Sequence, residues 1–290
     1  MGIKLKRIIR NIINFFIPNS MIRKKVNYYF SERYILDKMD LEVYQKEELL
    51  KFNSQYNFKG KIVLEIGSDL KLNTAKAIIK LGAQKVYAVN PKFSINITSS
   101  DKKIIPIRDL CENIDIKDTN IDILFGIALL EHVNQPQKLA AECCKILKPN
   151  GIGYLSECPI WTGPSGHHVY CISPNGKCYF FNKEDCPIPA WSHLVLNRDE
   201  MNMLLQTNNI SNQDAQMITN MVFGDEMSEL SANEIITAFQ SVPGLKVKYQ
   251  KNIEQNPPRK NKYYYKALEK YSEEDLKISG LEIYITKNKV

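Results

Sequence analysis

Acidic side chains are missing from the first 31 residues of this 290-residue chain. The same stretch holds Lys4, Lys6, Arg7, Arg10, Arg23, Lys24 and Lys25, and these seven cations equal the whole net charge of +7. From Glu32 onward the chain is formally neutral, which removes the basic footprint of a nucleic-acid binder. No apolar run approaches the length of a membrane span. A secretory signal is not expected either, because Arg10, Asn11 and Asn14 interrupt the N-terminal apolar positions. The seven cysteines (Cys111, Cys143, Cys144, Cys158, Cys171, Cys178 and Cys186) are odd in number and lack framework spacing. They read as reduced thiols of a cytoplasmic protein. Internal repeats and low-complexity tracts are absent.

Glycine is scarce at one telling place. The stretch "KIVLEIGSDLKLNTAKAIIKLGAQKVYAVN" (61–90) opens like a nucleotide-binding βαβ unit. Gly67 follows the first apolar run, where a glycine lets backbone approach a ligand. A dinucleotide fingerprint needs two more glycines to admit a pyrophosphate. Asp69 and Lys71 stand in that loop instead, and Asp69 would repel a pyrophosphate. The missing glycines weigh less against a cofactor without phosphates.

Strands are expected at Lys61–Ile66, Val86–Val89, Ile104–Ile107, Ile121–Phe125 and Ile152–Ser156. Helices are expected at Leu72–Leu81 and Pro136–Leu147, the latter closed by a Pro-Asn-Gly turn. Strands alternating with helices imply a parallel sheet covered on both faces. A helical stretch precedes them from about Ser31 to Phe52. Residues 159–196 are rich in Pro, Gly, Trp, His and Cys without clear period, the texture of a lid or substrate wall. Asn197 with Glu200 marks a helix start, and helix continues to about Gln240. The stretches beginning at Gly244 and Gly280 alternate as half-exposed strands. A basic, tyrosine-rich insertion separates them, with Ser272 capping a short helix.

Leu5, Ile8, Ile9, Ile12, Ile13 and Phe16 form one helical stripe, with cations on the other face and Pro18 at its end. Such a helix suits peripheral contact with the inner face of an anionic membrane through residues 1–18. The plainer alternative is packing on its own core or on a second subunit. The expected organisation is an N-terminal helical extension over 1–55 and one α/β domain over 56–290 with its insertion at 159–196.

Three of the four histidines lie in or beside "SECPIWTGPSGHHVY" (156–170) and "CPIPAWSHL" (186–194). His167, His168 and His193 are candidate bases, since a neutral imidazole can deprotonate a hydroxyl; His167 and His168 are favoured. Trp161, Tyr170 and Trp191 offer ring faces suited to the apolar C–H faces of a sugar. The plain alternative is that one or two of these histidines bond loop carbonyls. Cys171, Cys178, Cys186 and His193 lack the paired spacing of a zinc site, so no metal is assigned.

The stretch "DILFGIALLEHVNQPQKLAAECCKILKPNGIGYL" (122–155) resembles the region after the fourth strand of class I S-adenosylmethionine-dependent methyltransferases. The likeness rests on Gly126, Leu130-Glu131-His132, Leu139, Glu142, Leu147-Lys148-Pro149 and Asn150-Gly151. "VLEIGS" (63–68) resembles the first motif of the same family, in its type-11-like subgroup. The resemblance implies a Rossmann-like, seven-stranded, mostly parallel sheet with an antiparallel last strand and helices on both faces. It implies S-adenosylmethionine as cofactor, S-adenosylhomocysteine as product, and methyl transfer as activity; the candidate histidine bases make an oxygen the expected acceptor atom. Glu65, Gly67, Ser68 and Asp69 would line the methionine end, with Asp69 facing the cationic amino group. Asn90 would meet the ribose, where the family usually has an acid. Asp109 and Leu110 would lie beside the adenine, and Ala128 and Leu129 near the sulfonium. Glu131-His132 is similar to a metal-binding pair of quinone-pathway O-methyltransferases, but Ala128 replaces a further Glu, which favours a structural role. The "GHH…PxWxHL" pattern resembles methyltransferases of bacterial surface-polysaccharide gene sets.

The expected acceptor is a carbohydrate or polysaccharide precursor. The alternatives are a quinone or a phosphorus-containing small molecule, or a silent methyltransferase fold serving as a partner subunit. Asp69, Lys71 and Asn90 favour silence; the His/Trp-rich insertion favours activity. A nicotinamide oxidoreductase ranks behind these.

Overall fold

A computed structural model describes residues 31–114, 116, 120–224 and 227–288. The amphipathic stripe of residues 5–16 and the rest of the segment 1–30 lie outside them. The strands form a seven-stranded, mostly parallel sheet and a separate two-stranded hairpin. The chain divides into two compact units, one ending at Arg108 and the other starting at Asp109.

The first unit begins with α1 (Glu32–Asp37) and α2 (Val43–Tyr56). The helical stretch expected from about Ser31 to Phe52 is thus two helices. Leu36 and Leu41 are both buried, and a spacing of five puts them on different faces of a single helix. The chain breaks between them, and Glu42 N donates to Gln45 Oε1 at 2.8 Å to start the second helix. Strands β1 (Ile62–Ile66), β2 (Lys85–Val89) and β3 (Ile104–Ile107) then pair in parallel, in the order β3-β2-β1. Four consecutive residues of β1 and of β2 are buried, as a sheet covered on both faces requires. Helix α3 (Asn73–Lys80) connects β1 to β2 and buries Ala75, Ala77 and Ile78. Gly82, at φ +108°, ends the helix in the left-handed backbone region.

The second unit holds β4 (Ile121–Gly126), α4 (Pro136–Ile146) and β5 (Leu147–Glu157). Strand β5 starts five residues earlier than the turn residues suggested, because Lys148–Gly151 is accommodated as a bulge. The register with β4 shifts between Ile121 and Ile123, and Asn150 takes φ +61°. Strands β6 (Tyr170–Ile172) and β7 (Cys178–Phe180) form the hairpin. Helices α5 (Arg198–Thr207), α6 (Asn212–Val222) and α7 (Ala232–Gln240) follow. Strand β8 (Leu245–Ile253), the short helix α8 (Lys262–Ala267) and strand β9 (Ile278–Lys287) complete the unit. Strand β9 runs antiparallel to both β5 and β8.

The insertion 159–196 is packed rather than loose. Val169, Tyr179 and Ile188 share a core with Met201 and Leu205 of α5 and Ala215, Ile218 and Val222 of α6. Tyr179 Oη donates to Asp214 Oδ2 at 2.9 Å within that core. Asn197 closes the box expected of it: Glu200 N donates to Asn197 Oδ1 at 3.0 Å, and Asn197 N to Glu200 Oε2 at 2.8 Å. Replacing Asn197 by Ala should therefore cost about 1 kcal/mol of stability. Urea unfolding of the variant checks this, and an unchanged midpoint would show that the box contributes nothing.

Candidate functional site

The turn after β1 is held by side chains bonded to backbone. Gly67 takes φ +75°, a conformation open to glycine without a Cβ clash. Gly67 N and Ser68 N both donate to Val89 O, at 3.0 and 3.1 Å, which ties the turn to the end of β2. Asn90 adds a second tie: its Nδ2 donates to Ser68 O at 2.7 Å, and its Oδ1 accepts from Lys92 N at 2.7 Å. Both polar ends assigned to a ribose thus already meet backbone partners. Asp69 Oδ1 accepts from Lys71 N at 3.0 Å and Oδ2 from Thr74 N at 2.9 Å. The second bond satisfies an amide in the first turn of α3 that would otherwise lack a partner, and the first an amide of the loop leading into it. A carboxylate has about four acceptor positions, so Asp69 keeps capacity for a cation. The Lys71 ammonium meets Asp40 at 3.3 Å.

Glu65, on β1, is buried, and its Oε2 has no hydrogen-bond partner among the described residues. Burial raises its pKa to about 8; the Ser68 hydroxyl opposes this, and the charge of Asp69 adds to it. A carboxyl in that state can donate a hydrogen bond as well as accept one.

In the second unit, Leu110 N donates to Asp109 Oδ1 at 2.8 Å, and Leu110 is exposed. The turn after β4 places Ala128 at φ +47°. Leu129 is buried, and its N donates to Ser156 O at 3.0 Å, which joins this turn to β5. A 3-10 turn over Leu130–His132 follows. It buries Glu131, whose two carboxylate oxygens have no hydrogen-bond partner among the described residues. Glu157, the last residue of β5, is buried too, and its Oε2 likewise has none among the described residues. Burial raises the pKa of Glu131 to about 8. Burial also pushes Glu157 up, and the neighbouring charge of Glu131 pushes it further. Glu157 was missed in the sequence. The available signal was an acid directly after a buried strand, one residue past Ser156.

The structure brings the three insertion histidines near one another. The His167 and His193 ring centroids are 5.6 Å apart. His193 Nε2 lies 2.7 Å from Trp161 O, so the proton sits on Nε2 and the buried Nδ1 is an acceptor with no partner among the described residues. His167 Nδ1 accepts from Val169 N at 3.3 Å, which places its proton on Nε2. Burial depresses both: His193 to about 4, and His167 well below its usual value with help from His193 and His168. His168 differs. It is half-buried with φ +47°, and its ring lies 5.1 Å from Phe181 and 5.6 Å from exposed His132. Desolvation first, and His132 second, lower His168 to about 4.

Trp161 and Trp191 are buried, 3% and 2% exposed. Trp161 packs edge-on against His193, and Trp191 Nε1 donates to Leu276 O at 2.9 Å. Neither offers a ring face to a sugar as folded. Tyr170 is 57% exposed and stacks on Phe180 at 4.3 Å between centroids, so it presents an outer ring face.

Residues 64–155 match the family described as "Methyltransferase domain". The ubiquinone biosynthesis O-methyltransferase of Coxiella burnetii is 28% identical over 133 residues, covering 42% of this chain and 56% of that protein. The chain thus spans little more than half the length of this curated relative. An uncharacterised methyltransferase of Mycobacterium ulcerans is 34% identical over 58 residues, 20% of this chain and 22% of that protein. Among solved structures, an S-adenosylmethionine dependent methyltransferase from Mesorhizobium loti aligns with a TM-score of 0.50 at 14% identity, over 87% of this chain and 100% of that one. At that identity the likeness establishes the fold.

Buried acids and buried histidines shape the pH dependence of stability in opposite senses. The Glu131 carboxyl keeps its proton up to about 8 in the folded chain, against 4.5 ordinarily. Its contribution is full below 4.5 and is lost as pH rises through about 8. His193 contributes fully above 6.5, and loses that contribution as pH falls through about 4. Above 6.5 only the acids act, so the urea midpoint should fall between pH 6.5 and 8. Glu131→Gln should flatten that limb; an equally steep limb in the variant would refute the buried-acid account.

Proposed function

We propose that this chain, whose residues 64–155 match the methyltransferase-domain family, transfers a methyl group from S-adenosylmethionine to a hydroxyl oxygen of a small molecule. The domain match carries the reading. Two features of the turn after β1 support such a cofactor: Gly67 keeps its left-handed backbone, and buried Glu65 Oε2 lacks a partner among the described residues. Glu65, Gly67, Ser68, Asp69 and Asn90 would hold its methionine and ribose portions. Asp109, Leu110, Ala128 and Leu129 remain the proposed contacts for the adenine and the region of the sulfonium. When bound, the cofactor supplies an electrophilic methyl group.

The chain's own part is to orient the acceptor hydroxyl and take its proton. Of the insertion histidines, His168 is the one that solvent reaches, and its lowered pKa keeps it in the neutral, proton-accepting form. His167 has both ring nitrogens turned to neighbours inside the insertion, and His193 is buried with its Nε2 bonded to Trp161 O. A carbohydrate or surface-polysaccharide precursor is the proposed acceptor, with the exposed ring of Tyr170 as the stacking face. A quinone-like phenol is the second reading, supported by the similarity to the ubiquinone biosynthesis enzyme. Contact of residues 1–18 with a membrane surface belongs to the same proposal.

Transfer of labelled methyl groups to sugar nucleotides, glycans and quinols tests this. His168→Ala should lower kcat by about 10²–10⁴-fold and leave cofactor affinity unchanged. His193→Ala should instead lower stability, because it empties a buried bond to Trp161. Wild-type turnover in His168→Ala would move the base elsewhere. Transfer to quinols alone would replace the carbohydrate reading by the second one.

A further inference from the structure

Charge balances over the folded body, but not evenly. Residues 259–270 hold Arg259, Lys260, Lys262, Lys266 and Lys270 against one acid, Glu269. They lie in the insertion between β8 and β9, and the fold makes a firm platform of them. Asn261 Oδ1 accepts from Tyr263 N and Tyr264 N, at 2.9 and 3.0 Å, and so starts α8. Tyr263, Tyr264 and Ala267 are buried against Trp191 and Leu276. The opposite face carries Lys262, Tyr265 and Lys266, spaced i, i+3 and i+4, which places them side by side. All three are exposed, as are Arg259, Leu268 and Lys270. Tyr265 is 61% exposed and Leu268 40%. Lys260 is set apart by its ion pair with Glu273 at 3.0 Å.

Two exposed apolar groups among cations, fixed on a rigid face, match the chemistry of an anionic bilayer surface. The cations attract lipid phosphates. A tyrosine ring and a leucine side chain gain by entering the boundary between headgroups and acyl chains. A nucleic acid would find phosphate partners here, and a stacking face in Tyr265, but no use for Leu268. We propose that the outer face of α8, with Arg259, Leu268 and Lys270, docks on an anionic phospholipid bilayer. This surface does not include residues 1–18, and it does not depend on the methyl-transfer reading. Because the buried face of α8 packs on Trp191, docking would bring the 159–196 segment close to the bilayer.

The test is co-sedimentation of the full chain with phosphatidylcholine vesicles containing about a third phosphatidylglycerol, and with phosphatidylcholine alone. The wild type should bind the anionic vesicles and release in high salt. The triple variant Lys262→Glu, Lys266→Glu, Lys270→Glu should bind roughly a hundredfold more weakly. The double variant Tyr265→Ala, Leu268→Asp should also bind more weakly, with the cations intact. All these positions are exposed, so unchanged far-UV circular dichroism is expected of both variants. Wild-type binding by the triple variant would assign any vesicle contact to residues 1–18 and overturn the proposal. So would absence of binding by the wild type, or a charge-dependent affinity for RNA without affinity for vesicles.

Discussion

The two hydrogen bonds accepted by Asp69, from Lys71 N and Thr74 N, set the path of the chain between β1 and α3. A glycine-rich loop lets backbone fold tightly around a ligand because nothing projects from it. This loop reaches a defined turn by another route. It keeps one glycine where the backbone is left-handed and spends a carboxylate on the amides that follow. Asn90 then fixes the loop to the end of β2 through Ser68 O. The departures from a glycine-rich pattern therefore have a structural role in the chain itself. Asp69 and Asn90 hold the turn with the same atoms that a ligand contact was expected to use.

A second theme is desolvation. Glu65, Glu131 and Glu157 end in buried surroundings with oxygens that have no partner among the described residues, and burial is the leading cause that moves each toward its protonated form. His167 and His193 are held neutral by the same cause. Both sets reduce formal charge where water is excluded, since burying an uncompensated charge is costly. The physical consequence is that hydrogen-bond donors and acceptors, rather than fixed charges, are what these side chains offer. His168 combines a depressed pKa with partial exposure, which distinguishes it from the other two.

Much of the sheet was legible because buried strands announce themselves. Buried runs in β1 and β2, apolar except for Glu65, and Asn197 followed by Glu200, carry their signals within a few residues. The break at Leu36–Leu41 and the bulge at Lys148–Gly151 were not legible, because burial at both leucines and pairing with β4 decide them. The insertion shows the limit most clearly. Trp161 and Trp191 looked like ring faces for a sugar, yet each is consumed by packing: one against His193, one against Tyr264. Composition shows that aromatic residues are present; only tertiary contacts decide which ring remains outside, and here it is Tyr170. The paired burial of Glu131 and Glu157 depends likewise on the turn after β4 meeting the end of β5.

The central claim is that a turn built with Asp69 and Asn90 in place of glycines and an acid still receives S-adenosylmethionine. Isothermal titration of the purified chain with S-adenosylmethionine, and separately with S-adenosylhomocysteine, tests it most directly. The account predicts saturable micromolar binding of both. No heat of binding with either, from protein that unfolds cooperatively in urea, would contradict it and leave the fold as a scaffold without its cofactor.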